Sequence, residues 1–173
     1  MIRLELLTGR HDRNGFDCGV EALNLWLRQT TLQHQGKGIS RTFVAVPADE
    51  ATARAWARSG HAVGPQSVLG FYALASAFVL TGDLPARQAR RYPRQIPVTR
   101  LGRLAARADM QGQGLGPLLL ADAVSRARMA AQAVGSAGLF VDAKDETAAR
   151  FYQRYGFTLA ADDPLKLFLP LWE

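Results

Sequence analysis

L-G-R-L-A-A-R-A-D-M-Q-G-Q-G-L-G-P-L-L-L-A, residues Leu101 to Ala121, is the stretch whose reading decides the fold. It opens as a short apolar strand, breaks at Asp109, passes Gly112, Gly114 and Gly116, and then becomes helical. Without Cβ atoms a backbone admits a phosphate at close range, and the first N–H groups of a helix have no intrahelical partner. A strand feeding a glycine-rich turn that opens a helix is therefore an anion site in waiting. The spacing Gln111-x-x-Gly114-x-Gly116 is not the dinucleotide fingerprint, which needs three glycines in a different pattern and an acidic residue about 20 positions on. Nor is it a P-loop, because no Gly-Lys-Ser/Thr follows. The plain alternative is a tight strand-to-helix turn with no ligand. Pro117 falls in the first helical turn, where its missing N–H costs nothing.

Working outward, Val98 to Arg107 reads as a central strand and Leu115 to Val134 as the helix behind the loop, ending near Gly135. Ala137 to Ala143 is a short buried strand. D-E-T-A-A-R-F-Y-Q-R-Y is a helix whose acidic start suits its positive end, closed by Gly156. F-T-L and L-K-L-F-L-P-L supply two last strands. Upstream, Ile2 to Leu7 is a first strand. A helix starts near Val20 with Asp17 as its cap, carries Leu23, Trp26 and Leu27 on one face, and ends at Gly36 and Gly38. Trp26 reads as core, and Cys18 as a small buried residue with no histidine to pair with. Arg41 to Val46 and Ser67 to Leu80 are strands. The segment from Pro47 to Gln66 is either a short Ala-rich helix or a mobile insertion. T-G-D-L-P-A-R-Q-A-R-R-Y-P-R-Q-I-P is an irregular basic connection with room for one or two helical turns. Strands and helices alternate in the second half, which implies a mixed α/β sheet with crossover helices.

The chain of 173 residues is 48% hydrophobic and suits one domain, residues 1–173, around one substantial core. No apolar run approaches the roughly 18 residues of a membrane span. The N-terminus lacks a secretory h-region, and a lone cysteine cannot close an internal disulfide; together these point to the cytoplasm, with no membrane contact. The net charge is +6 and arginine far outnumbers lysine. That is either generic basic surface or the mark of a polyanionic partner, CoA or nucleic acid, and charge alone does not separate the two.

Q-G-Q-G-L-G after L-G-R-L-A resembles the acetyl-CoA pyrophosphate loop of the GNAT acyltransferases, patterned Arg/Gln-x-x-Gly-x-Gly/Ala. A-A-R-F-Y-Q-R-Y-G-F, Ala148 to Phe157, resembles the helix of that family ending in Phe/Leu-Tyr-x-x-x-Gly-Phe. The two in this order are far more specific than either alone. The resemblance implies a GNAT fold: an α/β, mostly antiparallel mixed sheet flanked by helices, with central strands Val98–Arg107 and Ala137–Ala143 splayed for acetyl-CoA. It implies that Gln111, Gly112, Gln113, Gly114, Leu115 and Gly116 hold the pyrophosphate. The backbone of Leu104, Ala105 and Ala106 would polarise the thioester carbonyl. Tyr152 would protonate the departing thiolate, since a phenol of pKa about 10 can serve a thiol of pKa about 8.5. Phe151 would join the cofactor-binding set, although it and Phe157 also read as core aromatics. One departure is Asp145, where many relatives have Asn; an ionised carboxylate cannot donate to CoA, so that contact is not carried over. No metal is implied.

No dedicated general base stands out. Glu146 and Asp142 read equally well as helix-end and strand-end carboxylates. An α-amine, with pKa about 8 against about 10.4 for a lysine side chain, needs little help. F-D-C-G, G-I-S-R-T-F and P-R-Q-I-P-V are similar to the toxin branch of the GNATs in bacterial toxin–antitoxin pairs, which acetylates the α-amine of charged tRNA and blocks translation. That branch implies a charged tRNA substrate, a ribbon-helix-helix antitoxin and a homodimer. Arg90, Arg91, Arg94 and Arg103 are the RNA-binding candidates, with strand alternation placing Arg103 and Arg107 on one face. The competing readings are an ordinary GNAT acting on a protein N-terminus or small amine, and a nucleic-acid-binding module that keeps the fold without catalysis.

Overall fold

The computed structural model describes residues 1–172, which form two compact units. The first comprises residues 1–73 and 103–123, the second residues 74–102 and 124 onward. Three elements pass from one to the other along the chain: strands β3 (Gly70–Leu80) and β4 (Gln95–Ala106) and helix α5 (Leu115–Ala133).

In the first unit, β1 (Ile2–Leu6) runs antiparallel to β2 (Arg41–Pro47), with Ile2 opposite Pro47 and Leu6 opposite Phe43. Two helices lie between them in sequence, α1 (Glu21–Gln29) and α2 (Thr31–Gly36), where the sequence suggests one. The break falls at Thr30-Thr31. The Thr31 hydroxyl donates to the Leu27 carbonyl at 2.7 Å, the local competition with the helical ladder that threonine brings. Asp17 is not the cap of α1. The N-cap is Val20, without a side-chain bond, and the Asp17 carboxylate instead accepts from the Gly19 N–H at 2.8 Å and the Asn24 amide at 3.0 Å. Cys18 is buried as expected, its N–H donating to Asn24 Oδ1 at 2.9 Å. The segment after Pro47 is the helix of the two alternatives, α3 (Glu50–Arg58), capped by Asp49 accepting from the Thr52 N–H at 2.7 Å. Leu7, Phe16, Leu27, Val44, Val46, Val68 and Phe71 form the unit's core, with Trp26 half-buried against it.

In the second unit, a 3-10 turn (Thr81–Asp83) and the single helical turn α4 (Ala86–Ala89) account for the basic connection. Strand β5 (Gly138–Asp142), helix α6 (Glu146–Arg154), β6 (Thr158–Leu159) and β7 (Lys166–Pro170) follow. Val79, Leu84, Ile96, Val98, Phe140 and Phe168 pack together. Burying a side chain such as the fully enclosed Phe168 is worth about 1.5–3 kcal/mol. Gly138 is required by packing: a Cβ there would stand 2.4 Å from the Leu169 carbonyl oxygen and 2.6 Å from the Phe168 ring.

The seven strands follow the order β1-β2-β3-β4-β5-β7-β6. β5 is antiparallel to β7 and β7 to β6, whereas β4 and β5 are parallel, which makes the sheet mixed. The β4–β5 register covers Thr99–Leu101 against Leu139–Val141, yet β4 continues to Ala106. β5 itself ends at Asp142, one residue past the pairing, so the last residues of β4 run on without it. Among the described residues no helix is long and apolar enough to cross a membrane.

Candidate active site

Strand β4 is tied down where it ends. The Arg107 N–H donates to the Leu69 carbonyl at 2.9 Å, and a 3-10 turn over Ala108–Met110 follows. Met110 is 1% exposed and acts as the turn's apolar anchor. The Ala108 N–H donates to the Asp17 carbonyl at 2.8 Å, which brings the F-D-C-G segment against this turn. The Arg107 guanidinium forks onto Asp109, Nε to Oδ1 at 3.0 Å and Nη2 to Oδ2 at 2.7 Å, and Nη1 donates to the Ala62 carbonyl at 3.2 Å. His61 Nδ1 stands 3.5 Å from the same carboxylate. Hydrogen bonding from Arg107 holds the Asp109 carboxyl below the usual range, so it is ionised at neutral pH.

Beyond this clamp the chain is exposed from Gln111 to Gly114, and the helix begins at Leu115, itself buried. Gly112 and Gly114 both have φ +82°, the left-handed region that costs other residues about 1–2 kcal/mol. A Cβ built on either would meet nothing within 4 Å. Their need is conformational, and the space beside them is open. An exposed loop of left-handed glycines, rigidly anchored on both sides and leading into helix N–H groups, fits a diphosphate. The acetyl-CoA expected from the sequence therefore has a cradle of suitable chemistry in Gln111–Gly116. Just upstream, Leu104 and Ala106 are half-buried and Ala105 is buried, on the part of β4 that has passed its register with β5.

Helix α6 presents Tyr152. Asp145 caps the helix, its carboxylate accepting from the Ala148 N–H at 2.9 Å, a structural duty that suits a residue with no donor to offer CoA. Ala149 and Tyr152 are its buried side chains. The Tyr152 ring meets Phe151 edge-on at 5.2 Å and Phe157 at 5.4 Å, and Gly156, at φ +97°, turns the chain so that Phe157 returns to it. Burial pushes the Tyr152 phenol up to about 12, so it stays protonated through the physiological range and can act as a donor but not as a base. Phe151 is half-buried between Tyr152 and Tyr155.

Neither carboxylate considered as a base is poised for that work. Asp142 pairs with Arg100, and Glu146 is exposed in the first turn of α6, 3.9 Å from Arg150. Arg90, Arg91 and Arg94 are exposed along the basic connection. Arg103 is exposed too, with its guanidinium 4.1 Å above the Trp26 ring. Arg107 does not share that face as strand alternation suggests: β4 has ended and Arg107 is buried in its ion pair with Asp109. The Arg107–Asp109–His61 clamp and the Asp17 tie were not anticipated. Only the two-residue spacing of Arg107 and Asp109 could have signalled them.

The acetyltransferase (GNAT) domain family matches residues 75–159. A tRNA-acetylating toxin of Mycobacterium tuberculosis is 37% identical over 158 residues, covering 91% of this chain and 85% of the relative. The solved structure of AtaT complexed with acetyl-methionyl-tRNAfMet superposes with a TM-score of 0.82 at 32% identity, covering 98% of this chain and 95% of AtaT. A tyrosine-to-phenylalanine variant of AtaT, bound to the C-terminus of the antitoxin AtaR and acetyl-CoA, gives 0.75 at 32% identity over 98% and 93%.

Proposed function

This chain belongs to the GNAT acetyltransferase family, and from that premise we propose that residues 1–173 act as one domain transferring acetyl from acetyl-CoA to the α-amine of an aminoacyl-tRNA, which blocks translation. The observation that carries the reading is the similarity, along nine-tenths of the chain, to a toxin that acetylates tRNA. Gln111, Gly112, Gln113, Gly114, Leu115 and Gly116 bind the pyrophosphate, with Phe151 as a further cofactor contact. The backbone of Leu104, Ala105 and Ala106 orients and polarises the thioester carbonyl. The neutral α-amine attacks that carbonyl, an N–C bond forms, and the C–S bond breaks. Tyr152 supplies the proton that the thiolate takes, and the amine's surplus proton goes to water. Burial keeps the phenol protonated and so available as a hydrogen-bond donor to the departing sulfur, and a substrate amine of pKa about 8 suits a site in which neither Asp142 nor Glu146 is poised as a base.

Exposed Arg90, Arg91, Arg94 and Arg103 take the phosphates of the charged tRNA. A ribbon-helix-helix antitoxin, a second copy of the chain and a cytoplasmic location complete the proposal; the solved AtaT complex with a segment of its antitoxin supports an antitoxin partner.

The test is incubation with labelled acetyl-CoA and total charged tRNA, then identification of the labelled aminoacyl group. Label on the α-amine is expected, and Tyr152→Phe should lower kcat by about 10²-fold or more without loss of acetyl-CoA binding. Label on peptides or polyamines with none on tRNA would make the chain an ordinary GNAT. RNA binding without turnover on any amine would make it a non-catalytic module.

A further inference from the structure

Arg103 caps a column of rings that reaches into the core. Its guanidinium carbon lies 4.1 Å from the centroid of Trp26. Trp26 stacks on Phe71, centroids 6.1 Å apart and planes 18° from parallel, and Phe71 receives Phe16 edge-on at 5.4 Å. Phe71 and Phe16 are both essentially inaccessible, Trp26 is half-buried, and Arg103 is exposed. His34 meets the indole edge-on at 6.2 Å and steadies it laterally. The column joins α1, β3 and β4 within one compact unit.

A cation over an indole face is attracted by about 0.5–2 kcal/mol, depending on how far both are desolvated. The larger consequence here is orientation. An exposed arginine ordinarily samples many rotamers and gives up about 2 kcal/mol of side-chain entropy on binding. Held with its guanidinium carbon 4.1 Å from the Trp26 centroid, Arg103 has less of that to lose. A guanidinium is a planar fork of donors, the shape that meets a phosphate with two hydrogen bonds. Arg103 also immediately precedes Leu104–Ala106, the segment assigned to the thioester.

We propose that Trp26 is a positioning residue that holds the Arg103 guanidinium over its ring as a phosphate contact for the acceptor end of the aminoacyl-tRNA. The inference rests on the aminoacyl-tRNA reading and adds to it a named contact and the residue that sets it. Lysine cannot replace the contact, because an ammonium carries no planar fork.

The experiment measures steady-state acetylation of aminoacyl-tRNA and the salt dependence of tRNA binding for the full chain. The variants are Arg103→Ala, Arg103→Lys, Trp26→Leu, Trp26→Phe and the double variant Arg103→Ala/Trp26→Leu. Arg103→Ala should raise the KM for tRNA about tenfold and reduce the slope of log Kobs against log salt by about one. Arg103→Lys should keep the slope and recover little of the KM. Trp26→Leu should raise the KM for tRNA in the Arg103 background but add nothing once Arg103 is alanine, with the KM for acetyl-CoA unchanged throughout. That non-additivity is what a merely structural Trp26 would not give. Trp26→Phe, which retains a ring, should fall between wild type and Trp26→Leu, and it carries the test where Trp26→Leu does not fold. An unaltered KM for tRNA in Arg103→Ala, or a Trp26→Leu effect that persists without Arg103, overturns the proposal. Wild type that acetylates no charged tRNA overturns instead the functional reading beneath it.

Discussion

Arg107 and Asp109 close a two-residue fork, with Nε–Oδ1 at 3.0 Å and Nη2–Oδ2 at 2.7 Å, around the turn that leads from β4 into the glycine loop. The guanidinium is almost fully enclosed while the carboxylate is half exposed, so solvent screens much of the charge attraction. What the pair provides is direction: it fixes where the chain leaves the strand. Arg107→Ala should cost roughly 1 kcal/mol of stability, chiefly through lost packing of the guanidinium, and should raise the KM for acetyl-CoA more than it lowers kcat. Arg107→Lys should rescue poorly, because an ammonium cannot fork onto the carboxylate. Urea denaturation alongside acetyl-CoA titration checks both statements. A variant with wild-type KM for acetyl-CoA would release the loop from this clamp.

Glycines at three positions should fail in two different ways. Gly112 and Gly114 are left-handed with open space beside them, so alanine strains only the local backbone, by about 1–2 kcal/mol. Because the loop is exposed, it can relax into another conformation and the melting temperature should move little, while the KM for acetyl-CoA rises severalfold. Gly138→Ala does the opposite. Its Cβ would collide with the Leu169 backbone and the Phe168 ring, neither of which can yield, and thermal denaturation should reveal a large loss of stability. Equal loss of stability in all three would contradict this division.

Those same residues mark what was legible in the sequence. Gln111-x-x-Gly114-x-Gly116 and Phe151-Tyr152 are local patterns, so the strand–loop–helix unit and the helix that presents Tyr152 could be read directly. The parting of β4 from β5 is an expectation of the family resemblance alone, since their register runs to Val141, one residue short of where β5 ends. Side chains that serve distant backbone were not legible. Asp17 looked like a helix cap, but its carboxylate folds onto Gly19 and Asn24 and its carbonyl receives Ala108. Arg107 looked like a surface partner of Arg103, because alternation holds only while the strand lasts and β4 ends at Ala106. Trp26 reads as core in the sequence, and nothing there signals that a cation lies over its ring.

The pH dependence should have a single limb over the accessible range. Burial raises the Tyr152 phenol to about 12, so its acid form persists as pH rises and is lost only in strong alkali. The substrate amine must be neutral, with a pKa of about 8. kcat/KM should therefore climb through about pH 8 and stay level to about pH 10. The same sign applies to stability: the folded state keeps the Tyr152 proton after the unfolded chain has lost its own near the ordinary value of 10, so this group favours folding below that point and ceases to as pH rises toward 12. A descending limb below about pH 9 in the rate profile would assign the proton donor to another group.

Arg90, Arg91 and Arg94 sit on a connection of short turns and are all exposed, which makes them suited to phosphates whatever the RNA sequence. Contacts of that kind carry affinity through counterion release, about one unit of salt slope for each arginine that meets a phosphate. Replacing all three with alanine should weaken binding of every charged tRNA to a similar degree and flatten the salt dependence by up to about three units. It should leave the melting temperature nearly unchanged, because exposed substitutions away from packed features fall within about 0.5 kcal/mol. Binding at several salt concentrations, with charged and uncharged tRNA, separates this from a role in reading the amino acid: loss confined to charged tRNA would place the three arginines near the aminoacyl end, and an unchanged slope would mean that they touch no phosphate.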